Sequence, residues 1–150
     1  MPRRYASRVS KGGLDTLNQL SESEKAMLCP LPLVVDFDLS MYQVMKEMFG
    51  SAGHGVAPEK MISAQALKDA TMAWFIVKSM SDKQHFFHMN GSFHSEKSEG
   101  IVYYLKKYKP GVKTIVITTK EYPDISKMDP SDKGTGDYIL AVPASMTKTY

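Results

Sequence analysis

Two short constellations carry most of the chemical potential in this sequence. The first is Gly91-Ser92-Phe93-His94, which follows the run His85-Phe86-Phe87-His88-Met89-Asn90. An imidazole near neutral pH serves as a base or a ligand. Gly91 permits the turn that would present it just beyond a strand end, and the backbone N–H groups of that turn could meet an anion. The second constellation is Gln65, Asp69 and Met72 on one predicted helix. Spacings of four and three residues place them on one side, and that side overlaps the apolar stripe Ile62, Ala66, Ala73, Ile76 and Met80. Asp69 is therefore expected to point inward or into a cleft. An unpaired carboxylate there is costly, so either a structural ion pair or a role in lining a pocket must account for it.

Other chemistries fit the residues less well. His85, His88 and His94 do not make a zinc set. His85 and His88 would face opposite sides of a strand, no zinc-ligand spacing occurs, and Cys29 is the single cysteine, which also excludes an internal disulfide. Gly91-Ser92-Phe93 is not the G-x-S-x-G of a serine nucleophile. Gly134-Thr135-Gly136 precedes a strand, whereas a phosphate loop follows one. The aromatic and basic run Tyr103-Tyr104-Leu105-Lys106-Lys107-Tyr108 is explained by one buried and one solvated helix face. A net charge of +3 and a pI near 8.9 do not argue for a nucleic-acid partner. The local cluster Arg3, Arg4, Arg8 and Lys11 reads as a solvated terminus.

The elements that would position these residues follow from periodicity and punctuation. Leu14, Leu17 and Leu20 recur at helical spacing after Gly12-Gly13. Ser21 and Glu24 form a capping-box pattern for a short helix to about Leu28, ended by Pro30 and Pro32. Residues 33–37 fit a strand or a loop. A helix over 40–49 has Met41, Val44, Met45 and Met48 on one face and Gly50 as its C-cap. Residues 51–56, with His54 between Gly53 and Gly55, read as a loop. Pro58 opens the longest helix, to about Met80. Residues 85–90, a helix through Tyr108 and the β-branched run 113–119 form a predicted β-α-β unit. A polar loop over 120–136 and a last strand over 137–142 follow.

The fold class is α/β: a mostly parallel sheet flanked by helices, with a helix-rich N-terminal half followed by a β-α-β unit and a last strand. Three strands make a thin sheet for this many helices, which points to a larger α/β domain whose first strands lie upstream. At 150 residues the chain fits one domain, and 43% hydrophobic with 23% charged residues is an ordinary globular composition. Eleven methionines serve either core filling or an adaptable apolar pocket. No run approaches the roughly 20 apolar residues of a membrane span, and no apolar segment follows the N-terminal arginines as in a signal peptide.

Four segments together resemble a known family. Pro2-Arg3-Arg4-Tyr5-Ala6, the helix Ala64-Gln65-Ala66-Leu67-Lys68-Asp69-Ala70-Thr71-Met72-Ala73, Gly91-Ser92-Phe93-His94 and Asp137-Tyr138-Ile139-Leu140-Ala141-Val142-Pro143 occur in the order found in ChaN-like bacterial proteins. These belong to the haem-uptake and Tiki superfamily, which also includes erythromycin-esterase-like enzymes. The resemblance implies haem as cofactor and a haem- or iron-related binding role in the cell envelope, with membrane contact only through a lipid anchor that this sequence does not contain. His94, Gly91, Asp69, Gln65 and Met72 would line the ligand cleft, and Arg3 and Arg4 would pair with propionates. Tyr103, Tyr104 and Tyr108 are alternative axial ligands as phenolates. Superfamily members carry two G-x-x-H-like motifs, the first accompanied by a glutamate. Only the second is present here, so the chain resembles the C-terminal portion of such a domain. The alternative the resemblance implies is a hydrolase, metal-dependent or esterase-like, that uses His94 and Asp69. The sequence leaves a homodimer open.

Overall fold

One helix explains the placement of the others. In the computed structural model, which describes residues 3–51, 57–81 and 85–147, α4 (Pro58–Ser79) begins with Pro58 in its first turn and spans the length predicted for it. The predicted loop at Gly53, His54 and Gly55 lies outside the described residues. Ala64, Ala66, Ala70 and Ala73 on α4 are buried. Such small side chains let neighbouring backbones approach on several sides. α1 (Arg3–Gly12), α3 (Ser40–Ser51) and α5 (Ile101–Tyr108) all pack against α4. Tyr5, Val9, Leu17, Leu28, Tyr42, Ile62, Leu67 and Tyr104 close the core around it.

Three local readings change. The basic N-terminal segment is a helix rather than a solvated tail. Tyr5, Ala6 and Val9 form a buried face while Arg3, Arg4, Arg8 and Lys11 stay exposed. The capping box at Ser21 forms, with the Glu24 N–H donating to Ser21 Oγ and the Ser21 N–H donating to Glu24 Oε2 at 3.0 Å. The helix it starts, α2 (Glu22–Lys25), is one turn long. On α3 the buried face is rotated: Met41, Tyr42 and Met45 are buried, whereas Val44 and Met48 are exposed. Tyr42 replaces Val44 because its hydroxyl has a buried polar partner, which makes its burial cheap.

Residues 85–90 do not form the expected strand. All six are exposed, Phe87 and Met89 by 80% and 81%. Among the described residues no strand lies beside them, and a strand without a partner is not stable in water. The sheet instead consists of β1 (Ile117–Tyr122) and β2 (Tyr138–Pro143) in parallel, with Ile117 opposite Tyr138 and Tyr122 opposite Pro143. The strand predicted at 113–119 thus starts later and runs further. Pairing sets its limits: the Asp137 carboxylate takes the Val116 N–H at 2.7 Å, and the Asp137 N–H donates to the Val116 carbonyl at 2.8 Å. The connection between the strands carries a single 3-10 helix, Pro130–Asp132, where a parallel crossover more often carries an α-helix. The fold is α/β and helix-rich, as expected, with its β part reduced to one parallel pair. No described helix is long and apolar enough to cross a membrane.

Candidate functional site

α4 and the turn after Gly91 bring the two constellations together. Asp69 lies on the inner face of α4 with no exposed surface. The chain from Gly91 tightens into a 3-10 turn, Ser92–His94, closed by the His94 N–H donating to the Gly91 carbonyl at 2.9 Å. This turn delivers His94 Nδ1 into direct hydrogen-bond contact with Asp69 Oδ1. The other carboxylate oxygen, Oδ2, accepts from the Tyr42 hydroxyl at 2.7 Å. Gln65, one turn before Asp69, lies across the imidazole with its amide 2.9 Å from Nδ1. One proton sits between Asp69 and Nδ1. The Gln65 amide nitrogen also lies 3.5 Å from Nε2, and with the proton on Nδ1 that is the ring nitrogen it can donate to. Nε2, flanked by the Gln65 amide at 3.5 Å, is then the ring nitrogen with a lone pair for a ligand or an incoming proton.

Burial pushes the Asp69 pKa above the ordinary carboxylate value, while the hydrogen bond and charge of His94 and the Tyr42 hydroxyl pull it back. Tyr42 is shifted far upward, first by burial and then by the Asp69 charge, so it is a permanent donor to the carboxylate. Both effects follow from enclosing charged groups where water does not compete.

The imidazole faces a cavity of about 350 Å³ lined by Met45, Met48, Phe49, Gln65, Gly91, Ser92, Phe93 and His94. Its walls are mostly apolar, and its polar groups converge on one ring. A cavity of this size and lining suits a small organic ligand.

Met72 lies elsewhere. Gln65 and Met72 are separated by about 10 Å along α4, and Met72 opens on a second cavity of about 540 Å³ with Met27, Phe75, Ile76, Phe86 and His88. Arg4 donates to the Tyr5 hydroxyl at 2.5 Å, Tyr5 donates in turn to Glu24, and Arg3 is exposed on the same helix. No described contact brings either arginine to the His94 cavity. The candidate phenolates are also committed. Tyr104 donates to the Val34 carbonyl, Tyr103 donates to Asp36, and burial pushes the Tyr104 and Tyr108 phenols well above their ordinary range. Among the described residues no group of three His, Cys, Asp or Glu side chains is placed to hold a metal ion.

Three residues of the site went unread in the sequence. Tyr42 is one; a tyrosine three residues before a buried methionine was its only signal. Gly100 is the second. With φ +53, its backbone lies where L-residues are rarely found, and an added Cβ would sit 2.5 Å from the His94 carbonyl oxygen and 3.2 Å from Asp69 Oδ2. The third is Glu99, whose carboxylate accepts the Ser40 and Met41 N–H groups at 3.0 and 2.7 Å and so caps α3, the helix that walls the cavity.

Residues 1–105 match the protein-family model described as "Haem-binding uptake, Tiki superfamily, ChaN". Searches of curated proteins and of solved structures find no match. The matched span holds every residue that builds the Asp69–His94 cavity and stops before the strand pair. The chain belongs to the haem-binding uptake (ChaN) family of the Tiki superfamily.

Proposed function

We propose that this chain binds haem in the cavity beside α3, with His94 Nε2 as the nitrogen that would hold its iron. The observation that carries the reading is the Asp69–His94 pair. A buried carboxylate that holds Nδ1 fixes the ring's orientation and tautomer, the arrangement that protein metal and haem sites use to orient an imidazole ligand. The residues fit the group. Met45, Met48, Phe49 and Phe93 supply apolar walls for a porphyrin face, and Nε2, the ring nitrogen that Asp69 does not hold, is the donor. Bound haem would supply iron coordination; the protein supplies the orientation of the ring and the exclusion of water. By the same family relation we place this role in haem handling at the cell envelope.

Haemin titration followed at the Soret band tests the proposal. Wild type is expected to develop a shifted, saturable band, and His94→Ala to bind at least about ten-fold more weakly. Identical titrations of the two proteins would refute it.

A second reading, a hydrolase, draws on the same pair. Asp69 would orient His94 as general base, and Ser92 is a hydroxyl-bearing residue of the cavity lining. Hydrolysis of a model ester that is lost in His94→Ala would favour this reading; no turnover by wild type would remove it.

A further inference from the structure

The segment that carries His94 is anchored by two other parts of the molecule. Downstream of His94, the turn Glu96–Ser98 holds Lys97 and Ser98 at φ 57 and 58, two consecutive non-glycine residues in the left-handed region. Such a conformation persists only where its surroundings enforce it. On one side, Glu99 ties the segment to the N-terminus of α3. On the other side the strand pair holds it. The Lys97 N–H donates to the Thr135 carbonyl at 2.8 Å, and Thr118 Oγ1 donates to the same oxygen at 3.2 Å. Glu96 is 7% exposed, and its carboxylate lies 2.9 Å from Lys120 Nζ on β1. Lys120 also reaches Asp132 at 3.2 Å, and Asp132 accepts from the Tyr122 hydroxyl at 2.8 Å. Burial works against the Lys120 charge, and the two carboxylates outweigh it, so its pKa stands above the ordinary value.

This network links the strand pair, which lies outside the matched family span, to a turn two residues from the imidazole. We propose that Lys120 is a positioning residue for His94: through its ion pair with buried Glu96 it holds the strained 96–98 turn in place and so keeps the imidazole against Asp69, ready for ligand. The inference rests on the haem-binding reading above for its ligand but on the Lys120–Glu96 contact for its mechanism. Without Lys120, Glu96 is left as a buried carboxylate with no cation beside it. The turn then relaxes to let Glu96 reach water, and His94 moves with it.

The test uses the full chain with Lys120→Met, Glu96→Gln and Lys120→Arg. Two quantities are read: haemin affinity from the Soret band, and the downfield Nδ1–H proton resonance of His94 in the ligand-free protein. Lys120→Met and Glu96→Gln are expected to weaken haemin binding about ten-fold, as loss of an outer partner of a ligating histidine does. They should also shift or broaden the Nδ1–H resonance, and Lys120→Arg should restore both. Wild-type affinity and an unmoved resonance in Lys120→Met and Glu96→Gln would overturn the proposal. So would a Lys120→Arg protein as impaired as Lys120→Met. If Lys120→Met unfolds the strand pair while Glu96→Gln stays folded with an unmoved His94 resonance, the role is structural and the proposal again fails. Absence of haemin binding by wild type would count against the haem reading alone, because the resonance still decides the position of His94.

Discussion

Leu67 on α4 and Ile117 on β1 are both branched apolar residues in regular elements, yet the first has no exposed surface and the second is 60% exposed. The contrast extends to their surroundings. The helical body from α1 to α5 buries a continuous apolar cluster around α4. The strand pair turns Thr118, Lys120 and Tyr122 toward the body and leaves Ile117, Tyr138 and Leu140 outside. Apolar burial, at about 25 cal/mol per Å², holds the helices together. The strand pair is attached through a polar network: Lys120 to Glu96 and Asp132, Tyr122 to Asp132, and Lys97 to Thr135. His94 lies where the two regimes meet. Its ring is held by the apolar-enclosed Asp69 and its backbone by the polar attachment.

Substitutions can break this comparison, and the largest effect is expected at Gly100. Alanine there meets the His94 carbonyl and requires a rare backbone conformation, so Gly100→Ala should destabilise the chain by about 4 kcal/mol in urea unfolding. Leu67→Ala should cost about 3 kcal/mol. Gly136→Ala, whose Cβ would lie 2.8 Å from Thr118 Oγ1, should cost about 1 kcal/mol. Its damage should be confined to hydrogen-exchange protection in β1 and β2. Ile117→Ala should fall within about 0.5 kcal/mol of wild type. An Ile117→Ala effect as large as that of Leu67→Ala would mean that the strand pair has an apolar core of its own.

Asp69 gives the comparison a pH axis. Burial raises its pKa, so the native state keeps the proton to a higher pH than the unfolded chain does. That contribution to stability is fully present below the ordinary value of 3.8 and is lost as pH rises through the folded value. The stability of wild type minus that of Asp69→Asn should therefore fall as pH rises from 3.8 through the folded value and level off beyond it. A difference that rises with pH would mean that the charge of His94, rather than enclosure, governs the carboxylate.

Local signals reached some of this architecture and missed the rest for physical reasons. Helix α4 was legible because Pro58 and an apolar stripe over twenty residues are both local features, and the stripe alone turns Asp69 inward. The Ser21–Glu24 capping box is likewise written in four residues. Residues 85–90 misled because alternating bulky side chains describe a strand's faces but not its partner, and a strand exists only when another strand takes its hydrogen bonds. The start of β1 was missed for the same reason, since Asp137 on the partner side sets it. His94 and Asp69 could each be named as candidates from their own surroundings. The parts that join them could not be read locally: Tyr42 from α3, Gly100 behind the turn, and Lys120 across from Glu96 are long-range contacts.

In the proposed arrangement Asp69 holds His94 by Nδ1 and Nε2 is the nitrogen offered to haem. Two-bond proton–nitrogen correlation on ¹⁵N-labelled protein, recorded with and without haemin, tests it most directly. The account predicts that His94 of the free protein is the Nδ1–H tautomer at pH 8, and that its signals are the first to be lost or shifted by the iron as haemin is added. An Nε2–H tautomer, with His94 signals unchanged at saturating haemin, would contradict it.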